Sequence, residues 1–409
     1  MKCFFPLHNL IQNYAWGSLD GIASFTGIPN TTQVPQAELW MGAHPAAPST
    51  IEIECNKTIT LDKFIAGAPE SILGKQTAKT FTNRLPFLFK ILSAAKPLSL
   101  QVHPSREQAK VGYIRENNAK IPPSSPVRNY KDDNHKPEII MALDEFTAMC
   151  GFRPIENTVR LFNLLNITEF APVLDRLQID GNYVEFCRYF LELSGTNKNN
   201  VLQAIRSRLN SAKNFPDDNI TYIFRLLKDL QQYYPDDTGI LAPLYMNVFT
   251  LQPGEALYLP AGILHAYIKG TGLELMANSD NVLRAGLTPK HIDVQELLSI
   301  LKADVFVPTP LRPPITPNSI YHYHTPCAEF ELSLISPHNT EIQIPASFPS
   351  IILGHTESVI LSTESEKHTL GRGESVFIPA CRNPIYISGS GIAYMASLPN
   401  DTNKDDNLD

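Results

Sequence analysis

Apolar residues along the chain follow two different periods, and the change of period divides it. Residues 85–103, PFLFKILSAAKPLSLQVHP, predict two short strands around a turn. Residues 246–268, MNVFTLQPGEALYLPAGILHAYI, predict a strand, a Pro-Gly turn, a strand, a Pro-Ala-Gly turn and a third strand. Between these blocks the spacing becomes helical. In 155–166 apolar residues fall at Ile155, Val159, Phe162 and Leu165, and in 220–234 at Ile223, Leu226, Leu227, Leu230 and Tyr234. Residues 199–212 are compatible with a further helix. The reading is a helical insertion over roughly 155–240 within a β domain. Residues 303–317 have the proline density of a linker or a chain draped over a surface. Short β runs return over 320–398, and the acidic tail NDTNKDDNLD reads as frayed.

One stretch occurs twice. Gly254-Glu-Ala-Leu-Tyr-Leu-Pro-Ala261 reappears as Gly373-Glu-Ser-Val-Phe-Ile-Pro-Ala380. This turn–strand–turn unit is similar to a stretch of cupins, which are double-sheet jelly rolls, and two copies suggest two such barrels. The copies differ at one place: His265 follows Pro260 by five positions, whereas the same offset from Pro379 lands on Pro384. If the histidine is a metal ligand, only the first barrel holds metal.

Composition narrows the function. With 43% hydrophobic and 18% charged residues in 409, the chain is an ordinary globular protein with room for two or three domains. A net charge of −7 argues against a nucleic-acid partner but leaves room for one phosphorylated metabolite held by a few local cations. No segment has the ~18 consecutive apolar residues of a membrane span, and no secretory signal is visible at the start. The six cysteines are scattered without C-x-x-C, so neither a disulfide framework nor a thiolate zinc site is expected. A cytoplasmic setting follows.

Four polar groups stand out against the β background. Gln101 and His103 are two apart, so on a strand they address one point. Asn134-His-Lys-Pro-Glu138 supplies a carboxylate beside a histidine and a lysine, and His265 sits in an apolar strand. Each has an ordinary alternative: a structural strand histidine, a solvated polar loop, a hydrogen-bonded core imidazole. Together, one amide oxygen, two imidazoles and one carboxylate make a mixed N/O sphere suited to an ion such as zinc with open positions. The stretch 272–290 adds Asp280, Arg284 and Lys290 among small residues, with an Asp280–Arg284 salt bridge as the alternative.

The blocks QNYAWGS (12–18), AELWMGAHP (37–45), PFLFKIL (86–92), LSLQVHP (98–104), NYKDDNHKPE (129–138), HAYIKG (265–270) and MANSDNVLRAGLTPKHID (276–293) together resemble the type I mannose-6-phosphate isomerases. The resemblance is close over 1–153 and 244–297 and looser elsewhere. It implies a mainly β protein with an inserted helical domain and two cupin-like jelly-roll barrels. The catalytic domain is then 1–153 with 241–300, the helical domain 154–240, and a metal-free C-terminal domain 301–400. It implies one zinc ion per chain on Gln101, His103, Glu138 and His265, and catalytic roles for Arg284, Lys136, His135 and Asp280. Lys90, Ser99 and Lys290 become phosphate-binding candidates, and Lys96 receives no role.

The reaction so implied interconverts mannose 6-phosphate and fructose 6-phosphate through a cis-enediolate, in a monomer feeding GDP-mannose metabolism. It needs a positioned base and strong stabilisation of an oxyanion. The residues leave the base open among Asp280, Glu274 and a zinc-bound water. Two rival readings are an iron-dependent cupin oxygenase and a sugar-phosphate-binding module without turnover.

Overall fold

The computed structural model describes residues 2–54, 57–211, 217–313, 319–381 and 383–400. Cys55, residues 314–317 of the proline-rich stretch, residue 212 and the tail from 401 lie outside them. The blocks from AELWMGAHP to LRAG lie largely on a ten-stranded sheet. Its main path runs Met246–Leu251, Phe146–Phe152, His265–Ala277, Phe87–Ala94, Glu38–Gly42 and Leu10–Gln12, with Glu138–Ala142, Ala256–Leu259, Leu100–Val102 and Leu283–Gly286 branching from it.

The strand Phe87–Ala94 is buried along its whole length because both faces are covered. Phe87, Phe89 and Ile91 enter a core that also contains Phe330, Ile351, Phe377 and Tyr394 from the C-terminal part. The alternate positions, from Leu88 to Ala94, face the other way, and Lys90 is among them. Strand His265–Ala277 runs through 13 residues: its first residues pair with Phe146–Phe152 and its second half with Phe87–Ala94 and Glu138–Ala142.

The C-terminal part holds a six-stranded and a four-stranded antiparallel sheet, with Ile335, Ile352, Val376, Leu361 and Ile387 packed between them. The two copies of the repeated unit have equivalent geometry. Gly254 and Gly373 both take left-handed backbone (φ 86° and 76°), and each is followed by a four-residue strand, Ala256–Leu259 and Ser375–Ile378. The opening of the chain belongs to this second body: Phe5 and Pro6 pair with Phe377 and Val376.

The insertion is helical, with helices Ile155–Leu165, Ala171–Asp180, Tyr183–Leu191, Gly195–Ser211 and Asp218–Tyr233. In the first, the buried stripe is Thr158, Leu161, Phe162 and Leu165, so the face is rotated slightly from the expected one and Ile155 and Val159 flank it. Helix Arg106–Asn118 was not legible from periodicity, being polar on most sides and burying only Ala109, Gly112 and Glu116. A reciprocal cap between Ser105 and Gln108 starts it. Gly112 lies against the Tyr130 ring, where a Cβ would come within 2.3 Å of a ring carbon.

Candidate metal centre and cleft

Register assembles the centre. Gln101 sits on the short strand Leu100–Val102, directly opposite His265 on one side and Arg284 on the other. Directly opposed residues project from one face, so these three side chains share it, and His103 follows two positions along. Glu138 opens its strand opposite Met276 and Leu259. Sequence separation of well over a hundred residues is thereby reduced to adjacency.

His103, Glu138 and His265 are each at most 2% exposed and bring one ligand atom apiece within 4.8 Å of one another. His103 Nε2 lies 3.4 Å from Glu138 Oε1, and His265 Nε2 lies 3.5 Å from Oε2. Each imidazole donates its Nδ1 hydrogen outward to a backbone carbonyl, His103 to Asn281 at 2.7 Å and His265 to Ile263 at 2.9 Å. That assignment leaves both Nε2 lone pairs facing inward, as metal ligation requires. Neither Nε2 atom nor Glu138 Oε2 has a hydrogen-bond partner. Buried polar atoms are normally satisfied, so three orphaned lone-pair atoms converging on one point fit a divalent cation.

The electrostatics agree. Burial and the Lys136 ammonium push the His103 imidazole down to about 4, which keeps it neutral. Burial raises the Glu138 carboxyl, but Lys136, at 2.6 Å, and the imidazoles outweigh it and hold the group well below the usual carboxylate range. Between pH 6.5 and about 4 the unfolded chain takes up a proton that native His103 refuses. The metal-free protein is therefore expected to lose up to about 3 kcal/mol on acidification through that window. Thermal melts of metal-free protein across the range check it; an unchanged Tm would refute the account.

The centre lies beside a cleft of about 730 Å³ lined by Gln101, Lys136, Ser99, Asp280, Arg284 and Lys290, with Tyr14, Trp16 and Tyr234 on its walls. Arg284 makes no ion pair among the described residues, and Asp280 pairs with His44 at 3.5 Å, so the Asp280–Arg284 bridge does not form. Burial depresses the Arg284 guanidinium, and burial with Arg284 and Lys131 depresses the Lys290 ammonium. Uncompensated cations of this kind mark an anion site.

The catalytic-domain model of phosphomannose isomerase type I matches residues 4–155. Mannose-6-phosphate isomerase of Salmonella typhimurium is 38% identical over 394 residues, covering 94% of this chain and 97% of its own. The human mannose-6-phosphate isomerase is 36% identical, covering 92% and 93%. A mannose 6-phosphate isomerase crystallised in its zinc-bound form superposes with a TM-score of 0.88 at 36% identity, over 98% of this chain and all of that one. The chain belongs to the mannose-6-phosphate isomerase family. No helix among the described residues is long and apolar enough to cross a membrane.

Within this isomerase fold the candidate residues separate. Gln101, Ser99, Lys136, Asp280, Arg284 and Lys290 reach the cleft. Lys90 also lines it, but not as a free charge: its Nζ is 2.7 Å from Glu274 and 3.6 Å from Glu38, and it lies over the Trp40 ring. Burial lowers the Lys90 ammonium, yet the two carboxylates outweigh that and raise it. At the cleft wall the Lys90 charge thus faces two carboxylates, a pairing that the local sequence did not show. Lys90→Met is expected to destabilise the protein by about 3–5 kcal/mol by leaving two buried carboxylates unpaired, with a smaller loss at low pH; denaturant unfolding measures both.

His135 is not among the residues lining the cleft, and its Nε2 lies 2.8 Å from Glu329 of the C-terminal body. Asp132 and Asn281 were missed. Asn281 is fully buried and donates to the Asp132 and Asn134 carbonyls, while Asp132 accepts from Ser279 and from the Asp280 N–H. The network fixes the carbonyl that orients His103. The polar run KDDN looked like a solvated loop, and only its partner SDN, about 150 residues on, explains it.

Proposed function

We propose that the chain is a zinc-dependent aldose–ketose isomerase that interconverts mannose 6-phosphate and fructose 6-phosphate through a cis-enediolate. One observation carries the reading: three orphaned metal-ligand atoms of fixed tautomer lie beside a cleft whose wall holds an unpaired guanidinium. His103, Glu138 and His265, with Gln101 beside them, would hold the ion. Bound zinc supplies Lewis acidity and a template for sugar oxygens.

The chain's own groups do the rest. Lys290 and the Ser99 hydroxyl, both on the cleft wall, would bind phosphate. Ring opening needs one proton taken from the anomeric hydroxyl and one given to the ring oxygen. Lys136 and Asp280, both on the wall, would handle these protons. A proton leaves C2 and returns to C1, so no atom is gained or lost. Glu274, whose carboxyl burial raises despite Lys90, is locked into its ion pair and serves better to keep Lys90 charged. Arg284 faces the developing enediolate with a fixed charge that needs no reorganisation.

The equivalent turn–strand units at Gly254 and Gly373 support two cupin-type jelly rolls with metal in the first only, the helical insertion lying between the segments of the catalytic domain. A cytoplasmic monomer supplying mannose 6-phosphate for GDP-mannose is the setting this implies; sedimentation tests the monomer. The function is tested by a coupled assay with each phosphosugar, before and after chelation and after zinc is restored. Turnover that vanishes and returns is expected. Binding without turnover in the zinc-loaded protein would leave a sugar-phosphate receptor instead.

A further inference from the structure

The C-terminal β body contains no residue of the metal centre, yet one of its carboxylates touches both chain segments that lead to it. Glu329 is 2% exposed and directly precedes Phe330, a fully buried core residue, and the strand Glu331–Ser336. Its Oε1 receives the Arg106 guanidinium and the His135 imidazole, the latter at 2.8 Å, and its Oε2 accepts from the Cys327 thiol at 3.1 Å. The Arg106 Nη2 also lies 2.7 Å from the His135 ring nitrogen.

The positions of the two partners give this knot its meaning. Arg106 opens the helix that begins three residues after His103, and His135 stands three residues before Glu138, next to Lys136. Lys136 in turn contacts Glu138 at 2.6 Å. One carboxylate therefore ties the segment leaving the first imidazole ligand to the segment entering the carboxylate ligand. Both of its oxygens are occupied, and its own backbone is anchored in a core shared by the two β bodies. Outer contacts of this type set how well ligands are preorganised.

Resting on the zinc reading above, we propose that Glu329 is a positioning residue for the metal centre, fixing through Arg106 and His135 the spacing between His103 and the Lys136–Glu138 pair. The C-terminal body then acts in catalysis as a brace. Removing the brace loosens the centre without removing a ligand.

The test compares wild type with Glu329→Gln, Glu329→Ala and a control, Glu331→Ala. Glu331 belongs to the same body but pairs with His322 and His324. Three quantities are read at a temperature well below each Tm: zinc affinity by competition with a chromogenic chelator, the visible spectrum after cobalt substitution, and kcat. Glu329→Ala is expected to weaken zinc binding by about tenfold and to alter the cobalt spectrum. Glu329→Gln, which keeps the shape and one acceptor, should recover part of the loss, and Glu331→Ala should match wild type. Should the alanine variant not fold, the glutamine variant decides alone, with a zinc affinity below wild type expected. Folded Glu329 variants with wild-type zinc affinity and an unchanged cobalt spectrum would overturn the proposal. A wild-type protein that takes up no zinc overturns the metal reading, and this proposal with it.

Discussion

Replacing His265 with alanine is expected to remove bound zinc and to lower turnover by about 10³-fold or more. The imidazole is 1% exposed, with its Nδ1 committed to the Ile263 carbonyl and its Nε2 aimed at the centre without a partner. The several kcal/mol that a Lewis acid contributes at a carbonyl then disappears. A second readout separates this from misfolding. Zinc at about 100 times its Kd should stabilise the wild type by about 2.7 kcal/mol, and the variant should show no such rise in Tm. Elemental analysis showing a full zinc complement in active His265→Ala protein would falsify the ligand assignment.

Arg284→Ala is expected to lower kcat by roughly 10²–10³, the usual cost of removing one preorganised oxyanion stabiliser. The guanidinium has no structural partner to lose among the described residues, since Asp280 is engaged with His44. Its place in the strand is held by backbone pairing with Gln101, which the substitution leaves intact. The folded state should therefore melt near the wild-type temperature. Arg284→Lys should recover only part of the rate, because a point charge lacks the planar fork. A raised KM with unchanged kcat would instead assign Arg284 to uniform phosphate binding. Near-normal kinetics in the folded variant would remove it from the mechanism.

How far the sequence could be read depended on the range of the interaction. Gln101 and His103 were legible as a pair because strand period puts them on one face, and His265 because a lone imidazole interrupts an apolar run. The repeated Gly-Glu unit was legible because a left-handed glycine and a strand are local features. The ion pairing of Lys90 was not legible for the opposite reason: its partner Glu274 is 184 residues away, and only cross-strand register joins them. The contact of His135 with Glu329 was likewise not legible, since nothing local shows that neighbouring side chains on an irregular segment face different bodies. The Arg106–Asn118 helix escaped because its stability comes from a cap and from contacts with Tyr130 and Arg128, which carry no apolar stripe.

The pairing of Phe5–Pro6 with Val376–Phe377 has a consequence for biosynthesis. A strand near the start of the sequence has no partner until about 370 further residues have been translated. At about 5–20 residues per second, that is a wait of roughly 20–70 s. During this interval the segment's backbone groups are unpaired, and the core it will share is only half built. Glu329 is also absent for most of that time. The nascent chain can thus form its helical insertion early, yet the shared core is complete only once the strand Ser375–Ile378 has been made. A message truncated shortly before codon 375 should accordingly yield an aggregation-prone product and not a smaller active isomerase.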